Sequence, residues 1–205
     1  MNEIYRKLVK VADFTKNFIL DLKYATHDNF TGSIIPGYSA NVLYLSQQAT
    51  VQLIKCIDIF KQHHLQVKIF DGYRPQKAVD FFKSWRSIPE NNELKARFHP
   101  GYTKEELFLN RFIMSPSSHS RGSTIDLTLV DRHGRELDMG SEFDFFHHSS
   151  NTFANGLPEH VKQNRHLLFN TLEEQGFKNL ETEWWHYTLA NEPYPDQYFD
   201  FDIEK

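Results

Sequence analysis

Apolar residues recur at helical spacing in two long stretches of the chain. From Gln47 to His64, Val51, Ile54, Ile57 and either Leu53 or Phe60 fall on one helical face. Ser46 stands before them, a residue type that caps helices by accepting from a first-turn N–H. From about Glu159 to Gln175, Val161, Leu168 and Leu172 repeat the pattern, and Gly176 sits where a C-terminal cap belongs. Pro75 suits the first turn of a third helix that runs to about Trp85 through Ala78, Phe81 and Phe82. Lys104 to Phe112 reads as a short helix. The period changes to two in the strands. Leu65 to Phe70 alternates up to Asp71-Gly72. Thr124 to Leu129 is the clearest strand, with Ile125, Leu127 and Leu129 on one side and Thr124, Asp126 and Thr128 on the other. A turn at Asp131 to Gly134 leads to a weaker strand near Arg135 to Met139. A last strand spans Trp184 to Leu189 and ends before Pro193 and Pro195. Thr26 to Asn41, rich in Gly, Ser, Asn and Pro, reads as a long loop and a candidate lid. Helices and strands interleave without a βαβ rhythm. The expectation is an α+β fold, a mainly antiparallel sheet flanked by helices, in a single domain over residues 1–205.

Composition narrows the function classes. With 205 residues, 40% hydrophobic and 24% charged, the chain matches an ordinary soluble globular protein. Its 18 Phe, 9 Tyr and 3 Trp predict a bulky aromatic core. The net charge of −4 gives no electrostatic reason to bind nucleic acid or an anionic membrane. Cys56 is the single cysteine, which excludes an internal disulfide and a cysteine-rich zinc site. It lies in an amphipathic stretch and reads as a small buried hydrophobe. No apolar run reaches membrane-spanning length, and charged residues interrupt the N-terminus. The expected location is cytoplasmic, or periplasmic if an export signal has been removed.

Three segments carry candidate chemistry. The first joins Ser117-Ser-His119-Ser-Arg-Gly122 to the strand from Thr124. Asp126 is a poor strand former and costly to bury without a partner. His119 entering from the loop and Asp126 projecting from the strand are good ligands for a borderline metal, and Gly122 lets the chain turn between them. Taken alone, a turn-capping His and a structurally hydrogen-bonded Asp explain the same spacing. The second is Glu183-Trp-Trp-His186, a carboxylate near a potential ligand, suited to act as a base. Residues three apart on a strand face opposite sides, so Glu183 must precede the regular strand or a bulge must intervene. The third is Asp71-Gly-Tyr-Arg-Pro75, where Arg74 at a strand-to-helix junction can aim its fork into a cleft. A surface ion pair would explain that motif equally well in isolation.

Together the segments resemble the VanX-type D-alanyl-D-alanine dipeptidases, within the wider zinc D,D-peptidase and hedgehog-like group. The wider pattern appears as Ser117, His119, Asp126, Glu183 and His186. The narrower likeness includes YATHDNFTG from Tyr24, DGYRP from Asp71, SSHSRGSTIDLTL from Ser117, MGSEFDF from Met139, EWWHY from Glu183 and EPYPDQYFDF from Glu192. It runs in one order from about residue 15 to the C-terminus. The resemblance implies hydrolysis of D-Ala-D-Ala with one zinc ion per chain. It implies His119, Asp126 and His186 as ligands, Glu183 as general base and Arg74 as oxyanion stabiliser. It places Tyr24, Ser117 and Asp144 near substrate, with Asp144 able to pair with an ammonium group. It is compatible with a homodimer. Thr124 departs from the family, which often has Ala there, and its hydroxyl is expected near the metal ligands. The His147-His148 region also diverges. Two other functions stay open: a D,D-carboxypeptidase acting on longer cell-wall peptides, and a zinc-bearing binding domain without catalysis.

Overall fold

The computed structural model describes residues 7–205. Among the described residues, seven strands form two sheets. In the smaller, β1 (Leu8–Lys10) pairs antiparallel with β3 (Tyr44–Ser46). The larger contains β2 (Phe18–Leu20), β4 (Gln66–Asp71), β5 (Thr124–Val130), β6 (Phe177–Asn179) and β7 (His186–Leu189), in the order β2-β4-β5-β7-β6. Its pairings are antiparallel except for β2 with β4. Mixed α and β content with helices beside the sheets agrees with the α+β expectation.

All seven residues of β5 are buried, as befits the middle strand of a covered sheet. The helices are α1 (Gln47–Gln62), α2 (Gln76–Trp85), α3 (Asn92–Phe98), α4 (Lys104–Leu109) and α5 (Glu159–Glu174). Of these, α1 and α5 pack on the large sheet and on each other. Ser46 caps α1 as expected, its side chain accepting from Ala49 N–H. The buried face of α1 is Leu53, Cys56, Ile57 and Phe60, and Val51 is exposed. The expected stripe through Val51 is therefore rotated. At 100° per residue Val51 stands about 160° from Leu53, so one sheet cannot bury both. Residues 53, 56, 57 and 60 form the continuous i, i+3, i+4, i+7 stripe, and packing selects it.

Two strands are shorter than their patterns suggested. The segment near Arg135 contributes a single bridge, Val130 to Glu136, with Leu137 N–H donating to Leu129 C=O. The last strand begins at His186, because Trp184 and Trp185 form a turn before it. The aromatic core is realised in Tyr24, Phe30, Phe82, Phe143, Trp184 and Trp185, all buried. Cys56 is fully buried, and burial pushes its thiol up to about 12. Among the described residues no helix is long and apolar enough to cross a membrane.

Candidate active site

The register of three strands lays out the floor of the site. A bulge between Ile69 and Asp71 brings Asp71 opposite Asp126, and Asp126 in turn lies opposite His186. Three polar side chains thus stand in a row across β4, β5 and β7. His119 enters above them from a 3-10 turn over Ser118–Arg121. Ser117 caps that turn, its Oγ accepting from His119 N–H at 3.4 Å. Gly122 ends it in the left-handed region at φ 78°, where an added Cβ would lie 2.3 Å from Leu8.

His119, Asp126 and His186 each offer a ligand atom, and these atoms lie within 4.8 Å of one another. His119 Nε2 is 3.2 Å from Asp126 Oδ2, His186 Nδ1 is 3.1 Å from Asp126 Oδ1, and the two ring nitrogens are 3.3 Å apart. His119 Nδ1–H donates to Gly72 C=O at 2.7 Å, which leaves Nε2 with a free lone pair. On His186 the opposite nitrogen, Nε2, meets Ser118 Oγ at 3.3 Å and leaves Nδ1 facing the site. Asp126 Oδ1 is buried with no hydrogen-bond partner, an arrangement that costs free energy unless a cation occupies the space between these atoms. Charge points the same way: Asp71, Asp126, Asp144 and Glu183 are buried together with the single guanidinium of Arg74. Two imidazoles and a carboxylate therefore fit a divalent metal, and zinc suits that donor set.

A carboxylate and a cation flank this triad. Glu183 Oε2 is 3.6 Å from His186 Nδ1. Burial raises its carboxyl well above the usual range, and the charges of Asp126 and Asp144 add to the effect. Burial pushes Asp126 the same way, but His119 and His186 more than offset it and hold it below the ordinary carboxylate value. Burial lowers His186, favouring the neutral imidazole that a ligand must be. Arg74 Nη2 lies 3.6 Å from Asp126 Oδ2, and its guanidinium covers the rings of Tyr24 and Phe82 at 4.8 and 5.5 Å.

Tyr24, Ser117 and Asp144 line the same cleft. Tyr24 Oη donates to Asp144 Oδ2 at 2.9 Å. Asp144 adopts φ 59°, and burial raises its carboxyl well above the normal range, as does the nearby Asp126. Apolar walls come from Phe30, Phe82, Phe112 and Phe146. Phe30 belongs to the long loop from Thr26 to Asn41, which the sequence suggested as a lid. Asn29 donates to Lys23, Thr26 and Ser33 carbonyls, and the loop's own Ile35 and Tyr38 are buried. It is a braced wall of the cleft. Thr124 Oγ1 pairs with Thr188 Oγ1 at 2.9 Å, a bond across the two strands that carry Asp126 and His186. His147 caps the short turn at His148–Ser150, and His148 lies edge-on to Tyr102.

Asp71 stands in the DGYRP motif, where the sequence alone assigns it no task. Fully buried, it accepts from Arg74 Nε at 2.9 Å and from Tyr38 Oη at 2.7 Å, and it lies 3.5 Å from His119 Nδ1. It therefore holds the guanidinium of Arg74 and places a carboxylate beside the His119 ring. A carboxylate ending an otherwise apolar strand was the available signal. Asn179 was also missed: its Nδ2 donates to the Glu183 and His186 carbonyls and fixes the turn between them. No local pattern marks that residue.

A metal centre with a carboxylate and a guanidinium at its edge is organised for hydrolysis of a carbonyl, and metallopeptidases are the enzyme class built this way. The chain belongs to peptidase family M15, whose D-Ala-D-Ala dipeptidase model matches residues 5–204. Three curated relatives carry the name D-alanyl-D-alanine dipeptidase. The Enterococcus faecium protein is 42% identical over 185 residues, covering 90% of this chain and 92% of that one. The Streptomyces coelicolor protein is 40% identical over 184 residues, covering 89% and 91%. The Escherichia coli protein is 36% identical over 183 residues, covering 89% and 84%. Among solved structures, VanYB in complex with D-alanine-D-alanine aligns at a TM-score of 0.44 and 15% identity, over 75% of this chain and 76% of that one.

Proposed function

We propose that this enzyme hydrolyses the dipeptide D-Ala-D-Ala to two molecules of D-alanine, with one zinc ion held by His119, Asp126 and His186. The observation that carries the reading is the position of Glu183. Its Oε2 stands 3.6 Å from a ligand nitrogen, beside the triad but outside it. When bound, zinc supplies a Lewis acid that polarises the scissile carbonyl and acidifies the attacking water.

Glu183 takes the proton of that water and returns it to the departing amine. Burial raises its carboxyl above the usual range, which makes it a stronger proton acceptor than an exposed glutamate. Arg74 donates to the oxygen that gains charge as the carbonyl becomes tetrahedral. Asp71 holds Arg74 at Nε, so the remaining fork is aimed before substrate arrives. Asp144 pairs with the substrate ammonium, Tyr24 holds Asp144 through its hydroxyl, and Ser117 borders the peptide. The aromatic walls of Phe30, Phe82, Phe112 and Phe146 crowd the cleft beside the triad, which favours a dipeptide over the longer cell-wall peptides of a D,D-carboxypeptidase. Glycopeptide resistance and recovery of wall D-alanine are both served by this reaction.

The test is a panel of D-Ala-D-Ala, L-Ala-L-Ala and a pentapeptide ending in D-Ala-D-Ala. Each is assayed with the purified protein after chelation and again after zinc is restored. Release of D-alanine from the first alone, and only with zinc, is expected. Equal rates on the L,L dipeptide contradict the substrate assignment, and preference for the pentapeptide turns it to the carboxypeptidase.

A further inference from the structure

We propose that Arg165 and Ser141 are positioning residues: they brace the loop over residues 138–152 so that Asp144 meets the ammonium end of the substrate. The inference rests on the role given to Asp144 above.

Arg165 projects from α5 and is 1% exposed. A buried guanidinium without a carboxylate partner is costly unless other acceptors engage its nitrogens. Here the fork closes on the two ends of one loop. Nε donates to Met139 C=O at 2.7 Å, Nη2 to Ser149 C=O at 2.8 Å and Nη1 to Asn151 C=O at 2.6 Å. Burial brings the group down to about 10, so it remains a cation at neutral pH.

A second brace crosses the loop and ties it to the segment that bears Glu183. Ser150 Oγ donates to Phe145 C=O at 2.6 Å, so its proton is committed. Ser141 Oγ, 2.8 Å from Ser150 Oγ, must then be the donor in that pair. Ser141 in turn accepts from Trp184 Nε1 at 2.9 Å. The resulting chain runs in one direction from Trp184 through Ser141 and Ser150 to the carbonyl of Phe145, the residue after Asp144. Trp184 N–H also donates to Ser150 C=O at 3.0 Å, and Thr152 N–H to Glu181 C=O at 2.8 Å.

Between the braces Asp144 holds a left-handed backbone, φ 59°, which a non-glycine residue keeps only where its surroundings impose it. Its carboxylate then faces Tyr24 at 2.9 Å inside the cleft. The braces therefore set the distance between the group that would take the ammonium and the group that would serve as base.

The experiment compares the zinc-loaded wild type with Arg165→Lys and Ser141→Ala. Two substrates are used: D-Ala-D-Ala and its desamino analogue, propionyl-D-alanine, which lacks the ammonium group. Arg165→Lys should raise KM for D-Ala-D-Ala about tenfold, with kcat within about twofold. Ser141→Ala should raise KM by a smaller factor. Zinc content and the kinetics on the analogue should stay at wild-type values. A parallel loss on both substrates, or an unchanged KM in both variants, overturns the inference. If Arg165→Lys does not fold, Ser141→Ala decides by the same criterion. A wild type that treats the two substrates alike overturns the ammonium role of Asp144 and this inference with it. A wild-type preference left intact by the variants overturns this inference alone.

Discussion

Glu183 and His186 converge on one point although they lie three positions apart in the chain: Oε2 of the first stands 3.6 Å from Nδ1 of the second. On a regular strand they would face opposite sides. The Trp184–Trp185 turn resolves the conflict. It is closed by His186 N–H donating to Glu183 C=O at 3.2 Å, and β7 starts only at His186. Both tryptophans are buried, so packing as well as hydrogen bonding holds the turn. His186 belongs to the strand and Glu183 to the turn, and a single short segment supplies both proposed roles, ligand and base.

Asp71→Asn keeps the shape of a fully buried side chain and removes its charge. Arg74 loses a charge-assisted bond of 2.9 Å, and the carboxylate 3.5 Å from His119 Nδ1 is neutralised. We expect a loss of about 10- to 100-fold in kcat/KM, with an unchanged circular dichroism spectrum. Wild-type kcat/KM in this variant would show that Asp71 orients neither group.

Gly122→Ala places a methyl group where φ is 78° and where Leu8 already stands 2.3 Å away. The left-handed backbone alone costs about 1–2 kcal/mol for an L residue. The turn that carries His119 must shift, so urea denaturation should show at least that loss and zinc affinity should fall with it. Retention of both would mean that the turn tolerates the side chain.

Cys56 is fully buried on α1, and its thiol is raised to about 12 by burial. Only the thiolate attacks a disulfide reagent. At pH 8 the folded protein should leave an aromatic disulfide reagent unreacted, whereas guanidinium should release one thiol per chain. Rapid labelling of the folded protein would contradict the packing of α1 against the sheet.

Much of the site was legible in the chain, and the reason is chemical. Asp126 after His119, Glu183 before His186 and Arg74 in DGYRP each have an ordinary structural explanation alone, and it is their combination in one order along the chain that points to a site. The large helices were legible too, because Leu53 to Phe60 and Val161 to Leu172 are long and periodic. What escaped has a different origin. The three-residue strands β1, β2, β3 and β6 are too short to show a period, and pairing with distant partners defines them. Val51 and Leu53 offered two faces of one helix, and tertiary packing chose between them. The support given by Asp71, Asn179 and Ser118 depends on which carbonyl or ring nitrogen lies opposite, which no local spacing encodes.

The most direct test separates the base from the ligands in one variant. Glu183→Gln preserves the size of the side chain beside the triad of His119, Asp126 and His186. Elemental analysis of the purified variant should find one zinc per chain, as in the wild type, while turnover of D-Ala-D-Ala falls by about 10²- to 10⁴-fold. Loss of zinc in step with activity would place Glu183 among the ligands, and near-normal turnover would show that another group accepts the proton.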